Sequence, residues 1–213
     1  MEIETQIVDA DYSIQDEEVY IRLFGKSGED NLIAYDHSFR PYFYVLPSEQ
    51  AKNTEELQEE IKEGVFRDDG DKIPVTGTEI VEKEVGKEMR AAVKVYTTIP
   101  PNVTKLKNEI WDLPETERCR EFDIPFYRRY LIDKGIRPGK TVKLSGEEVE
   151  ASEFDKALEV AEVDVGVDEK EQEYSSMAFD LEVYKDRVIM ASMKSESFEK
   201  VLSLAEIERP FVE

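Results

Sequence analysis

The stretch that decides the fold begins with Pro41-Tyr42-Phe43-Tyr44-Val45-Leu46, a run rich in aromatic and β-branched residues that predicts a strand. A helix is predicted next, from the capping residue Asn53 to Gly64. The remaining elements are two strands, a second helix and a last strand: 78–85, 90–98, 100–110 and 118–122. From Tyr42 to Phe122 the order is therefore β-α-β-β-α-β.

This order is the split βαβ arrangement of ferredoxin-like and RNA-recognition folds, in which two helices cover one face of a sheet. The first 46 residues are strand-rich, with a hairpin formed by 19–24 and 31–35. The last forty residues also have the pattern of strands, at 176–183, 187–193 and 200–204. We therefore expect an α+β protein with an N-terminal β-rich domain that contains a βαββαβ subdomain.

Composition excludes several classes of protein. The 213 residues include 50 acidic and 28 basic side chains, a net charge of −22, which argues against a generic electrostatic nucleic-acid binder. One cysteine, Cys119, and one histidine, His37, cannot build a disulfide or a Cys₂His₂ zinc site, and we expect structural or surface roles for both. No apolar run approaches the roughly 20 residues that cross a bilayer. These features predict a cytoplasmic protein.

The charge is unevenly distributed. Residues 118–143 hold eight basic and three acidic side chains, a local balance of +5, whereas 146–173 hold twelve acids and two lysines. The acidic stretch is interpreted as a surface insertion or linker with short strands near 158–163. The predicted domains are therefore 1–145, an acidic linker 146–173, and 174–213.

Two carboxylates could hold a metal ion. Asp180 and Glu182 lie two residues apart on a predicted strand, so both side chains point to one face, while Phe179 and Leu181 would pack on the other. Such a pair repels itself unless a cation lies between the carboxylates, and Mg²⁺ or Mn²⁺ is the usual occupant. In so acidic a chain, a merely solvated strand face is the alternative.

The segment 121–135 interleaves aromatic residues with Arg128 and Arg129. Aromatic rings stack on exposed bases and guanidinium groups bind phosphates, which predicts a surface for single-stranded nucleic acid. An amphipathic helix from Pro125 to Lys134, with its apolar side chains in the core, explains the same residues, and the two interpretations are compatible. Trp111, near a helix end, is assigned to the core.

Six islands of sequence, in this order, resemble the N-terminal part of archaeal family B DNA polymerases. They are Val8-Asp9-Ala10-Asp11-Tyr12, Ile21-Arg22-Leu23-Phe24, Phe39-Arg40-Pro41-Tyr42-Phe43-Tyr44, Phe122-Asp123-Ile124-Pro125-Phe126, Arg129-Tyr130-Leu131-Ile132-Asp133-Lys134-Gly135 and Ala178-Phe179-Asp180-Leu181-Glu182. The resemblance implies a template-binding N-terminal domain followed by the first strands of a 3′→5′ exonuclease of ribonuclease-H-like fold. Asp180 and Glu182 would then be catalytic, metal-binding residues of that exonuclease.

The resemblance also implies a pocket that captures uracil in single-stranded template DNA. The positions that match its DNA- and uracil-binding residues are Tyr12, Pro41, Tyr42, Ala92, Ile124, Phe126, Arg128 and Arg129. Ala92 is matched to a family valine, and this smaller side chain would loosen the pocket. The exonuclease motif departs from the family at Val183, where threonine is usual.

The 213 residues contain neither the further exonuclease motifs nor the palm signatures of a polymerase. We therefore expect no polymerisation or proofreading by these residues alone, and Mg²⁺ or Mn²⁺ only in a completed exonuclease site. The expected partners are single-stranded template DNA, the remainder of the polymerase, and a sliding clamp through the full enzyme. An inactive paralogue that serves as a protein-interaction subunit is the alternative function, and a self-sufficient nuclease is a more remote one.

Overall fold

The computed structural model describes residues 1–49, 53–166 and 176–204. These residues belong to two compact units, Met1–Glu169 and Lys170–Glu213, and each unit is described by itself. The elements, in chain order, are β1 (Glu2–Gln15), β2 (Glu18–Ser27), β3 (Asp30–Asp36), β4 (Tyr42–Pro47), α1 (Thr54–Glu63), β5 (Phe66–Asp68), β6 (Asp71–Ile73), β7 (Gly77–Val85), β8 (Glu88–Tyr96), α2 (Pro100–Trp111), β9 (Thr116–Arg120), α3 (Phe126–Asp133), β10 (Thr141–Glu148), β11 (Lys156–Asp164), β12 (Met177–Tyr184), β13 (Arg187–Ser195) and β14 (Glu199–Ser203).

The first unit contains a closed barrel with the strand order β1-β10-β11-β3-β2. The predicted hairpin is confirmed as β2 and β3, which pair antiparallel. Closure depends on long-range pairs, since β1 lies antiparallel to β10 and β11 lies parallel to β3. Alternating apolar residues of these strands, such as Ile7, Ile21, Leu23 and Leu144, fill the interior and are fully buried.

The acidic stretch 146–173 differs from the linker that its composition predicted. Its strand near 158–163 exists, but as β11, a wall of the barrel between β10 and β3. At Gly146 the two strands approach so closely that an added Cβ would lie 1.8 Å from the carbonyl oxygen of Glu159. The acids alternate with apolar residues such as Leu158, so the outer side of a strand carries the charge. Residues 167–173 of the stretch lie outside the described residues.

The predicted βαββαβ subdomain is confirmed. Its four-stranded sheet has the order β7-β8-β4-β9, with every neighbouring pair antiparallel, as the split βαβ arrangement requires. Asn53 caps α1 by accepting a hydrogen bond from the amide of Glu56 at 2.8 Å. A short hairpin, β5 with β6, was not predicted; it lies between α1 and β7.

Each face of this sheet packs differently. One face contributes Phe43 and Val93 to a core with the buried residues of α1 and α2. Cys119 lies in the same core, and burial raises the pKa of its thiol to about 12, which fits the structural role expected for it. The prediction for Trp111 was wrong: its side chain is 41 % exposed, because it lies at the end of α2 and contacts Phe122 only edge to face.

Helix α3 packs against the barrel through Phe126 and Tyr130. The buried carboxylate of Asp36, at the end of β3, accepts a hydrogen bond from the Tyr130 hydroxyl at 2.8 Å. The same carboxylate accepts from the Ser38 amide at 2.7 Å and lies 3.6 Å from the Lys134 ammonium. A buried carboxylate needs such partners, so Asp36 fixes the position of α3 on the barrel.

In the second unit, β12, β13 and β14 form an antiparallel sheet, close to the three predicted strands. Among the described residues, no helix has the length and apolarity to cross a membrane.

Candidate nucleic-acid site

A small cavity of about 40 Å³ opens where α3, the start of α2 and the start of β4 meet. Its walls come from three segments of the first unit: Pro41, Tyr42, Pro100, Val103, Phe122, Ile124, Phe126 and Arg129. Six of these side chains are apolar, and Tyr42 and Arg129 supply the polar groups. The lining therefore offers shape selection together with one cation and one hydroxyl.

The turn before α3 brings its residues to the cavity. Glu121 has a φ of 59°, a left-handed conformation that reverses the chain directly after β9. Pro125 then precedes the first helical residue, and its carbonyl accepts the first helical hydrogen bond, from Arg129, at 2.9 Å. The turn and the helix together direct Ile124, Phe126 and Arg129 into one small space.

The Arg129 guanidinium is buried beneath the cavity, with a side chain only 7 % exposed. Nη1 lies 2.5 Å from a Glu121 carboxylate oxygen, and Nη2 donates to the Glu121 carbonyl at 3.2 Å. The guanidinium also lies 5.1 Å from the Tyr42 ring centroid. Burial alone would lower the pKa of Arg129, but Tyr42 and Glu121 raise it, so the group stays charged.

Glu121 is shared between two cations. Besides Arg129 it pairs with Lys83, whose ammonium lies 2.7 Å from the carboxylate. Burial raises the pKa of Glu121, but the hydrogen bonds from Lys83 and Arg129 together lower it by more. The pKa of Glu121 therefore lies below its ordinary value. The carboxylate is therefore ionised at neutral pH and holds the guanidinium at the cavity.

Tyr42 is fixed from both ends. Its hydroxyl donates a hydrogen bond to Asp133 of α3, and the Lys94 ammonium lies 4.0 Å from its ring centroid. Burial first, and then the Asp133 bond, raise the pKa of Tyr42 far above its usual value. The phenol therefore stays protonated and serves as a rigid wall of the cavity.

Five of the eight predicted binding residues line this cavity: Pro41, Tyr42, Ile124, Phe126 and Arg129. Tyr12 contacts it indirectly, because its ring packs edge to face on Phe126 with centroids 5.6 Å apart. Arg128 does not line the cavity; its side chain is exposed, whereas the neighbouring Arg129 is buried.

Ala92, which the resemblance matched to a pocket valine, does not line this cavity. Ala92 is fully buried on β8, in a cluster with Tyr44 and Leu46 on the face of the sheet away from α1 and α2. A proline and a valine do line the cavity, but they are Pro100 and Val103 of α2. The sequence signal was the Pro-Pro start of α2, and it was overlooked because the apolar stripe of that helix already accounted for Val103.

The cavity is small in this structure. About 10–15 Å³ of such cavity volume holds one water molecule, so about 40 Å³ has room for only a few waters and is too small for a pyrimidine base. Insertion of a base therefore requires lining side chains to move. Phe122 and Ile124, on the turn before α3, are half-buried wall residues, as is Pro100 at the start of α2.

The second candidate site consists of the two carboxylates of β12. Asp180 and Glu182 lie on one face of the strand, opposite Ser192 and Met190 of β13. Both are exposed, and Asp180 accepts a hydrogen bond from the Leu181 amide at 3.0 Å. The packed opposite face that was expected is not seen, since Phe179 is 67 % exposed.

Carboxylate oxygens suit Mg²⁺ or Mn²⁺, so the pair fits part of a metal site. Within residues 1–49, 53–166 and 176–204, however, no group of three or more potential ligands comes together. The described residues therefore supply two ligands at most.

Comparison with known proteins places these features in one family. A family model of the DNA polymerase family B exonuclease domain matches residues 117–209. The DNA polymerase of Pyrococcus horikoshii is 30 % identical over 207 residues, which cover 97 % of this chain and 15 % of that protein. DNA polymerase 1 of Pyrococcus abyssi is also 30 % identical over 207 residues, covering 97 % of this chain and 24 % of that protein.

A solved structure agrees with the sequence comparisons. The family B DNA polymerase of the hyperthermophilic archaeon Pyrobaculum calidifontis superposes with a TM-score of 0.70 and 26 % identity, over 94 % of this chain and 26 % of that one. The chain thus spans about a quarter or less of the length of these relatives. The α+β fold and the resemblance inferred from the sequence are both confirmed. This chain belongs to the family B DNA polymerases, and it corresponds to their N-terminal and exonuclease region.

Proposed function

We propose that the unit Met1–Glu169 binds single-stranded template DNA and captures uracil in the cavity lined by Tyr42, Val103 and Arg129. The observation that supports this most directly is the convergence of three chain segments on one apolar cavity with a buried cation. A base is accessible to such a cavity at little cost when the strand is already single.

Shape would distinguish uracil from thymine, which differs by one methyl group. A wall of Pro41, Pro100 and Val103 cannot retreat easily, because Val103 is also part of the core beneath the sheet. Forcing an extra methyl group into such packing costs about 1–3 kcal/mol, which corresponds to a roughly five- to 150-fold preference for uracil.

Arg129 would act as an anchor. Its guanidinium is charged, buried and held by Glu121, so it can attract the DNA strand while its own position stays fixed. The same ion pair fixes the Tyr42 wall, since the guanidinium lies over that ring.

For the second unit, we propose that Asp180 and Glu182 are two metal-binding carboxylates of a 3′→5′ exonuclease site that further residues must complete. The family match supports this assignment. DNA, the remainder of a polymerase and, through the full enzyme, a sliding clamp are the proposed partners, and the proposed location is the cytoplasm.

The test is fluorescence anisotropy with two single-stranded oligonucleotides that differ only in one uracil or thymine. We expect the 213-residue chain to prefer the uracil strand and to lose this preference in Arg129→Ala. Because Arg129 is buried, Ile124→Ala serves as a second variant that changes the cavity wall without removing an ion pair. Arg67→Ala is the matched control, since Arg67 is an exposed arginine on β5 that lines no part of the cavity.

Equal affinity of the unchanged chain for the two strands would overturn uracil capture. Absence of binding to either strand at low salt would overturn template binding as well, and would leave a protein-interaction subunit as the remaining function.

A further inference from the structure

A second, larger cavity of about 340 Å³ lies at the junction of the barrel and the four-stranded sheet. The barrel contributes Glu17 from the turn between β1 and β2, Glu18 at the start of β2, and His37 directly after β3. The sheet side contributes Thr97 and Thr98, just after β8. No step of the proposed uracil capture uses this space.

The two cavities are neighbours along two segments of chain. Phe39 and Arg40 line the large cavity and the next two residues, Pro41 and Tyr42, line the small one. On the facing segment, Thr98 lines the large cavity and Pro100 the small one. Consecutive Cα atoms are about 3.8 Å apart, so the two cavities lie only a few residues' length from each other. A DNA strand with one base in the small cavity can therefore place an adjacent nucleotide at the large one.

The walls of the large cavity suit a nucleotide. The His37 imidazole stacks on Tyr20 with ring centroids 4.8 Å apart and planes 30° apart, and its side chain is exposed, so its outer face can stack on a base. Arg40 is exposed, and among the described residues no ion pair engages it, which leaves its guanidinium for a phosphate.

The two threonines differ in what they offer. Thr97 is buried and its hydroxyl donates to the Pro74 carbonyl at 2.8 Å, so it supports the wall of the cavity. Thr98 is half-buried, and its hydroxyl accepts from the Asn102 side-chain amide at 3.1 Å, so its hydrogen is left to donate. A sugar or a base edge can use this donor.

The acidic rim selects among the bases. Glu17 and Glu18 are exposed carboxylates, which accept hydrogen bonds and disfavour a phosphate beside them. Asp16 and Glu17 form the two-residue turn between β1 and β2, with φ values of 52° and 65°. Asn-Gly is the usual pair in such a turn, and here two acids take its place. Exocyclic amino groups, present on adenine, cytosine and guanine but not on thymine or uracil, are the donors that fit.

We propose that this cavity binds the template nucleotide next to the captured uracil, stacking its base on His37, holding the intervening phosphate with Arg40 and favouring an amino-bearing base through Glu17 and Glu18. The proposal rests on uracil capture at the small cavity. It predicts that capture depends on sequence context.

The experiment measures anisotropy for strands that carry one uracil and, on its 5′ or its 3′ side, adenine, cytosine, thymine or an abasic spacer. On one of the two sides, we expect the abasic spacer to weaken binding roughly five-fold or more, as the loss of one stacked base does. Cytosine on that side should bind more tightly than thymine. His37→Ala should remove the penalty of the spacer, because no stacking surface is left to lose.

Arg40→Gln should lower the slope of log affinity against log salt by about 0.7, the value for one phosphate contact on a single strand. Arg67→Gln is the control of equal charge change and should leave the slope unchanged. His37 and Arg40 are both exposed, so neither variant threatens the fold.

Three results would overturn the inference: no effect of the spacer on either side, equal binding of cytosine and thymine neighbours, or an unchanged salt slope in Arg40→Gln. If the uracil preference persists alongside any of these, only the neighbour site fails. If instead the spacer matters equally in thymine strands and uracil is not preferred, the nucleotide cavity stands and uracil capture fails.

Discussion

The cavity beside α3 and the carboxylate pair of β12 are built in opposite ways. In the first, Arg129 and Tyr42 are buried and each is held by an acidic partner. In the second, Asp180 and Glu182 are exposed, and the described residues give them no third ligand. A binding cavity takes its specificity from packing within one compact unit, whereas a metal site requires several charges from different segments of chain.

Because one site is buried and the other exposed, we expect substitutions that remove buried partners around the cavity beside α3 to lower the free energy of unfolding. Substitutions of Asp180 or Glu182 should leave it almost unchanged. The largest effect is expected for Asp36→Ala, because it leaves the buried Tyr130 hydroxyl and the Lys134 ammonium without their shared carboxylate. We expect a loss of about 3–5 kcal/mol in the free energy of unfolding. Urea unfolding followed by the fluorescence of Trp111, the single tryptophan, measures it.

Asp11→Ala is the control for Asp36→Ala, since Asp11 forms only a half-exposed ion pair with Arg22 at 2.6 Å. Its loss should cost less than about 1 kcal/mol. If Asp36→Ala and Asp11→Ala lowered the free energy of unfolding by similar amounts, the buried Asp36 would be no more important to the fold than the half-exposed Asp11.

The next effect depends on pH. The pKa of Glu121 lies below its ordinary value in the folded protein, so its ion pairs stabilise the fold above the pH at which an unfolded glutamate titrates, about 4.3. This stabilisation is lost as the pH falls through the folded pKa. Glu121→Gln should therefore cost about 1–3 kcal/mol at pH 7, and this cost should shrink as the pH falls below about 4.3.

The pH series of urea unfolding should include Glu117→Gln, which removes an exposed pair with Arg90. A difference between Glu121→Gln and the unchanged chain that stays constant from pH 7 to pH 3 would contradict the role given to the Glu121 carboxylate.

A smaller effect is expected on binding. Val103→Leu adds one methylene to the wall of a cavity of about 40 Å³ and should weaken uracil binding by about 1 kcal/mol, roughly five-fold. Ala92→Ser, on the other face of the sheet, should leave the uracil preference unchanged in the anisotropy assay. The reverse result would restore Ala92 to the pocket and remove Val103 from it.

The smallest effect concerns the carboxylate pair. Two exposed carboxylates bind Mg²⁺ weakly, so at a concentration no higher than the dissociation constant the ion stabilises the chain by at most about 0.4 kcal/mol. Thermal unfolding of the chain and of Asp180→Asn, with and without Mg²⁺, measures this. A Mg²⁺-dependent gain above about 1 kcal/mol that disappears in Asp180→Asn would reveal ligands beyond the described ones.

Local patterns predicted the local parts of the fold. The strands and helices of the βαββαβ subdomain each carry their own alternation or apolar stripe, and all were found in the expected order. The hairpin of β5 and β6 was missed because strands of three residues are too short to alternate visibly. The barrel was missed because its closing pair joins Leu32 to Lys156, and such distant contacts leave no local pattern.

The site shows the same limit. Five lining residues followed from the resemblance, since they stand within recognisable motifs. Val103 did not, because a buried valine in a helix looks the same whether it borders a cavity or a core. Glu17 and Glu18 of the large cavity were likewise not predicted, because the chain has 50 acidic residues and nothing in the sequence separates these two from the solvated ones.

The parallel pairing of β11 with β3 has a consequence for the order of folding. The four-stranded sheet is complete once Arg120 has been made, whereas β1 and β3 wait for β10 and β11, which end at Asp164. At about 5–20 residues per second, the ribosome needs several more seconds to supply them. During that interval the nascent chain holds a finished subdomain together with a barrel that is still open and has two unpaired strand edges. Segments 141–148 and 156–164 thus complete the barrel, and they seal those edges against pairing with other chains.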